Sequence, residues 1–288
     1  MISTLLAHNL LHDINYTAIT VSGRINWNRQ GRGDGWRTIR WNEVEKTGGA
    51  QLLPESGKRP EWRLRAPFLH GRKNLVELNE IHDVMQKLWD GDAIYISGTG
   101  ESNWIRENFI HDCLSENMCE GIRCDDDQDE TIIERNVVWR NGGLGTGITS
   151  KGRNHIINNF LVEPTATFNP RGMISIEASL VQDSIIQRNI LMTRATNLPP
   201  FFVLNIMGPP NPEIKDLSAD YNLFWNSADP NWASVYLSKA RAQGREEHSL
   251  VAEPLFRDPE KGDFRFRRGS PAAKLGIEPL DLRKAGLR

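Results

Sequence analysis

Five short segments place reactive side chains at a constant offset from a buried-type residue: Ala18-Ile19-Thr20-Val21, Ala93-Ile94-Tyr95-Ile96, Gly121-Ile122-Arg123-Cys124, Gly147-Ile148-Thr149-Ser150 and Met173-Ile174-Ser175-Ile176. With the first Ile of each pointing inward, the outward position three residues later in the last four forms a column: Ser97, Asp125, Lys151 and Glu177. Stacked at strand spacing, neighbouring members lie about 4.8 Å apart, so Asp125 and Glu177 are separated by about 9.6 Å with Lys151 between them. Two carboxyl groups at that separation leave room for a water molecule, and could protonate a leaving oxygen and activate that water. The same three residues also read as a surface charge ladder.

Other chemistry-bearing residues surround this column. Asp126, Asp127, Asp129 and Glu130 form an acidic run whose self-repulsion calls for a cation or hydroxyl groups. Calcium near Asp125, Asp126 and Asp127 is the candidate, although no cofactor is required and no metal ligand set is assigned. Asp92 is a further catalytic candidate, but an extended strand would hold it about 16 Å from Asp125 unless the chain bends before Ala93. Tyr95 and Arg123, one coil apart, are candidates for contacting a ligand, and Trp89 offers a stacking face. His12-Asp13, His82-Asp83 and His111-Asp112 recur at a fixed distance after an Asn. An imidazole there could act as a general base or bind metal, and His82 and His111 are also candidates for contacting a substrate, but repetition favours a turn-stabilising device. Arg106-Glu107 and Glu134-Arg135 read as cross-coil ion pairs.

The elements that must position these residues follow from a repeat, apolar-x-x-Asn-x-apolar. Its instances begin at Asn9, Asn42, Asn79, Asn108, Asn136, Asn159, Asn189 and Asn222. Short Ile- and Val-rich strands separated by Gly and Asn, with no intervening helices, must turn directly into one another. The expectation is an all-β, single-stranded parallel solenoid with coils of roughly 23 to 37 residues, right-handed by the hand of parallel crossovers. Each Asn would sit in a left-handed turn conformation and bond to the Asn one coil away.

Residues 1–249 are read as coils of one domain, with loop insertions at 23–37 and 50–72. Trp27, Trp36, Trp41 and Trp62 lie in or beside these loops, as loop anchors or stacking faces. Residues 250–288 are read as a short C-terminal capping segment, with a helix opened by Ser270 and Pro271 and ended at Gly276. No matching element precedes Asn9. The first coil would then be covered by a second copy of the chain or by upstream coils. The chain has 288 residues and a formal charge of −2, giving no general attraction to nucleic acid or anionic lipid. No stretch has the length of a membrane span, and no signal peptide is visible. Cys113, Cys119 and Cys124 are odd in number, which excludes a full disulfide framework and leaves room for one bridge.

The Asn-apolar ladder resembles the right-handed parallel β-helix repeats of polysaccharide lyases, epimerases and glycoside hydrolases. Asn79-Glu80-Ile81-His82-Asp83, Asp90-Gly91-Asp92-Ala93-Ile94-Tyr95 and Gly121-Ile122-Arg123-Cys124-Asp125-Asp126 are similar to a run in β-helix glycoside hydrolases of the fucosidase and xylanase type. The resemblance implies a bacterial, secreted or periplasmic carbohydrate-active enzyme for polysaccharide degradation, pairing Asp92 with Asp125 or Asp126; the column offers Glu177 as the alternative partner. Two alternatives stand beside it. One is a lyase or C5-epimerase on uronic-acid polymers, using Lys151 as base with Arg123 or calcium on the substrate carboxylate. The other is a non-catalytic carbohydrate-binding solenoid.

Overall fold

The computed structural model describes residues 2–23, 45–46, 62–116, 118–126, 128–178, 181–206 and 210–287. The expected insertion at 23–37 lies outside them except for Gly23, as do Trp27, Trp36, Trp41 and Asp127, and so does 50–61 of the second insertion.

The chain is mostly β and visits three parallel sheets in fixed rotation, a β-helix-like stack of coils. The first sheet has seven strands, from Leu5–Ala7 to Leu217–Asp220, and the second has eight, from Leu10–Leu11 to Leu250–Val251. The third has six: Ile19–Ser22, Gly91–Ser97, Cys119–Asp125, Ile148–Ser150, Ile174–Ile176 and Phe201–Val203. Inward residues pair in register down the stack, as Val76, Ile105, Ile133, Ile156 and Ile186 do in the first sheet. They merge with Ile94, Ile122, Ile148 and Ile174 of the third sheet into one apolar interior.

Asparagines tie the coils together at the turn between the first and second sheets. Each side-chain oxygen accepts the N–H and amide of the Asn one coil earlier, as Asn136 does from Asn108 at 3.1 and 2.9 Å. The ladder runs Asn9, Asn79, Asn108, Asn136, Asn159, Asn189, Asn222. Asn9 bonds directly to Asn79 at 2.8 Å, so no rung lies between them and Asn42, outside the described residues, is not part of the ladder. The left-handed residue is not the Asn but the one before it: His8, Leu78, Glu107, Arg135, Asn158, Arg188 and Tyr221 all have φ between 52° and 60°. Such a conformation costs a side-chain-bearing residue about 1–2 kcal/mol. The buried amide bonds that follow offset that cost. A second set of asparagines works at the third-to-first turn, where Asn74 Nδ2 donates to Asn103 Oδ1 at 2.9 Å.

The end of the stack is covered by a helix, Ser234–Ala242, whose Tyr236, Leu237 and Ala240 join Phe201 and Phe224 in the interior. The C-terminal segment lies along the flank instead of across the end. The second sheet is apolar on both faces, with Val138, Leu161, Leu191 and Phe224 inward and Val137, Phe160, Ile190 and Leu223 outward. Phe256, Phe264, Ala272, Leu275, Ile277 and Leu280 pack on the outward row. Ser270 opens the short 3-10 helix Pro271–Leu275, accepting from the Ala272 N–H at 3.3 Å, and Gly276 ends it at φ 67°. The segment then runs back over earlier coils. The Glu278 N–H donates to Asn158 Oδ1 at 2.7 Å, and the Gly286 N–H reaches the Leu78 carbonyl at 2.9 Å. Among the described residues no helix is long and apolar enough to cross a membrane.

Candidate active site

The third sheet carries its reactive groups on its outer face because its strands break the alternation of an extended chain. Asp92 pairs in register with Glu120, yet the next two residues of each strand both face inward. Ala93 and Ile94 are fully buried in the core, and a side chain at Gly121 would collide with Val138 of the interior, as Ile122 packs there already. Two consecutive inward residues amount to a local bulge. It turns Asp92 and Glu120 back to the outer face, near Arg123.

Ser97, Asp125, Lys151 and Glu177 stand in one column. Ser97 pairs with Asp125, the Lys151 N–H donates to the Cys124 carbonyl at 2.8 Å, and the Glu177 N–H donates to the Ser150 carbonyl at 2.9 Å. The space between the two acids is not open to water. Lys151 Nζ sits 2.7 Å from Asp125 Oδ1 and 4.0 Å from Glu177 Oε2, so an ammonium fills the gap expected for a nucleophilic water. Glu177 is further engaged by Ser175 Oγ at 2.7 Å and by Arg171.

Arg123 is the hub. It is 6% exposed, and its Nη1 lies 3.2 Å from Asp90 Oδ1, its Nη2 3.2 Å from Asp125 Oδ2 and its Nε 4.0 Å from Glu120 Oε2. Its guanidinium carbon is 5.8 Å from the centre of the Tyr95 ring, and Tyr95 donates to Asp125 Oδ2 at 2.9 Å. Asp125 also accepts the Asp126 N–H at 2.8 Å, and Ser97 donates to Asp126. Both Asp125 oxygens are thus saturated by donors. Burial alone would raise its pKa, but Arg123 and Lys151 overcome that and hold it well below the usual carboxylate range.

Asp92 and Glu120 are in the opposite condition. Both are fully buried; among the described residues Asp92 Oδ1 accepts the Glu120 N–H at 3.2 Å, while Asp92 Oδ2 and both Glu120 side-chain oxygens have no hydrogen-bond partner. Burial pushes Asp92 well above the ordinary range, reinforced by the charge of Glu120 and opposed by Arg123. Burial likewise raises Glu120, against Arg123 and with a further push from Glu177. The outer face therefore holds an acid pair whose environment favours the protonated form beside an aspartate whose environment favours the ionised form, the separation of roles that acid–base chemistry at one pH demands. Glu120 escapes a search based on the Ile-plus-three column. Its signal is the repeated acid-small-Ile triplet, Asp92-Ala93-Ile94 and Glu120-Gly121-Ile122, continued by Thr146-Gly147-Ile148.

The remaining candidates divide. Trp89 is 63% exposed and adjoins Asp90, whose carbonyl accepts from Tyr16 at 2.9 Å. His82 and His111 are on the second sheet, apart from this cluster. They stack with His12 in a column with 5.0 Å between ring centres, each bonded through Nδ1 to the Asp that follows, at 2.6 to 2.8 Å. Those Asp residues have φ of 49° to 55°, so the pairs secure turns. Of the acidic run, Asp129 is buried against Arg153, whose Nε lies 2.7 Å from Oδ2. Among the described residues no group of three or more His, Cys, Asp and Glu side chains is arranged to hold a metal ion. Trp62 is a buried anchor, donating to the Thr99 carbonyl at 2.9 Å. Arg106 and Arg135 make cross-coil ion pairs with Glu77 at 2.8 Å and Glu107 at 3.0 Å. All three cysteines are buried free thiols.

No protein-family model and no curated protein matches the chain. A solved structure described as the complex structure of XylC with xylose is similar at 10% identity and a TM-score of 0.33, over 88% of this chain and 48% of that one. The chain thus spans about half the length of that protein, and a likeness of this size carries no inference about family or activity.

Proposed function

We propose that this chain is a right-handed parallel β-helix that hydrolyses glycosidic bonds of a polysaccharide, using carboxyl groups on the outer face of its third sheet. The reading rests on the opposed states of the Asp92–Glu120 pair and Asp125, arranged around the single guanidinium of Arg123. The raised pKa of the buried pair favours retention of a proton, and Asp92, whose Oδ2 has no hydrogen-bond partner among the described residues, donates it to the leaving oxygen as the bond to the ring carbon breaks; water then adds to that carbon and returns a proton to Asp92. Asp125, kept anionic by Arg123 and Lys151, stabilises the positive charge that develops on the sugar ring. Tyr95 and Trp89 contact the sugar, and Glu177 holds Lys151 from the far side. An extracellular or periplasmic location belongs to the same proposal.

Lys151 bears on the lyase alternative. It donates to Asp125 at 2.7 Å and lies 4.0 Å from Glu177, so its amine is engaged between two carboxylates instead of facing a substrate carbon. The deciding experiment is a panel of neutral and uronic-acid polysaccharides assayed for both new reducing ends and ultraviolet absorbance. Reducing ends without absorbance are expected, abolished by Asp92→Asn. An absorbance rise on a uronate polymer would replace hydrolysis by β-elimination, and no product on any polymer would reject catalysis.

A further inference from the structure

Around the turn from the charged cluster, the outer face of the first sheet has a different character. Trp104, Ile132 and His155 are consecutive partners in the strand register, and all three are half-buried, outward-facing side chains. They form the floor of a depression of about 450 Å³ whose rim is made by Arg63, Ser102, Glu130, Arg153 and Asp183. The Trp104 ring is steadied from one side by Arg106, whose guanidinium carbon lies 5.7 Å from the ring centre.

The chemistry of this depression selects among ligands. An indole beside a flat aliphatic side chain suits the apolar face of a ring, while the rim supplies donors from Arg63 and Ser102 and acceptors from Glu130 and Asp183. Arg153 is neutralised by Asp129, whose carboxylate it grips through Nε and Nη2. Burial, partly opposed by Glu130, pulls His155 below its ordinary range, so that it is an uncharged hydrogen-bonding group at neutral pH. Among the described lining residues the charges that remain are Arg63 against Glu130 and Asp183, a net of one negative charge that offers a polyanion no attraction.

We infer that this depression is a second, non-catalytic saccharide site, taking a neutral sugar ring stacked on Trp104. It lies on a different sheet from Asp92, Glu120 and Asp125, and it does not require the hydrolase reading to hold. Binding is measured by affinity electrophoresis of the whole chain in gels containing a neutral xylan, a neutral β-glucan or polygalacturonate. Retardation by a neutral polymer is expected, with affinity about tenfold weaker in Trp104→Ala, equivalent to about 1.4 kcal/mol, and a smaller loss in the rim variant Asp183→Ala. Cleavage of a short soluble substrate should be unchanged in Trp104→Ala, and retardation should be unchanged in Asp92→Asn. Equal retardation of the parent, Trp104→Ala and Asp183→Ala would overturn the proposal, as would retardation by polygalacturonate alone or by none of the polymers. Retardation that depends on Trp104 in a protein that cleaves nothing would support this site while rejecting the hydrolase reading.

Discussion

Replacing Arg123 by Met keeps most of the side chain's length and removes its charge from the centre of four acids, Asp90, Asp92, Glu120 and Asp125. Breaking a buried ion pair from one side typically costs about 3–5 kcal/mol, because the remaining charge is left uncompensated. Arg123 is 6% exposed and makes two ion-pair contacts of 3.2 Å, so the upper part of that range applies near neutral pH. The loss must depend on pH. Asp125 is the group with a depressed pKa, so its pairing contributes stability above its unfolded value of 3.8, and that contribution fades as pH falls toward the folded value. Asp92 and Glu120 have raised values, so they are neutral in acid and make little demand on Arg123 there, whereas at higher pH their ionisation without Arg123 costs more. Urea unfolding of parent and variant at about pH 4 and about pH 8 should therefore show a deficit at least about twofold larger at the higher pH. An equal deficit at both values, or one below about 1 kcal/mol at about pH 8, would refute the view that the Arg123 charge holds this cluster together.

Three further outcomes follow from the same geometry. Asn136→Ala removes a side chain that bonds Asn108, Asn159 and the Ile105 carbonyl, and at about 1–3 kcal/mol per buried group left without a partner the loss should reach about 3 kcal/mol or more in a denaturation curve. If Asp92 is the proton donor, kcat should fall as pH rises through its raised pKa; Asp92→Asn should abolish turnover while increasing stability at alkaline pH, because the native Asp92 holds its proton more tightly than the unfolded chain does. No thiol should react rapidly with a chromogenic disulfide in the folded protein, since burial pushes Cys113 and Cys124 up to about 12 and Cys119 well above its usual value, and all three should react in denaturant without a reductant.

The repeat and the column of Asp125, Lys151 and Glu177 were legible because each depends on local periodicity, which the strand register carries unchanged from coil to coil. What a column cannot reveal is which side chain occupies the space between two others. Lys151 reaches both neighbours, and a separation computed from the backbone leaves its length out of account. Glu120 was hidden because the bulge at Gly121 shifts the alternation by one residue, and a strict period of two reads it as facing inward. Asn42 shows the converse error, since its flanking residues satisfy the repeat while Asn9 bonds past it to Asn79. The Ser-Pro-x-x-x-x-Gly helix of the C-terminal segment is a local signal that reads as an end cap. Its destination depends on the second apolar face of Val137, Phe160, Ile190 and Leu223, a long-range match between two parts of the chain.

That destination bears on how the molecule unfolds. A stack in which each coil touches only its neighbours can fray from either end, one rung at a time. Here the residues from Phe256 to Gly286 grip the Leu223 rung at one extreme and the Leu78 turn at the other, with Asn158 held in between. Loosening any one rung therefore disturbs a fastening shared by the rest, and the array should come apart as a single cooperative unit.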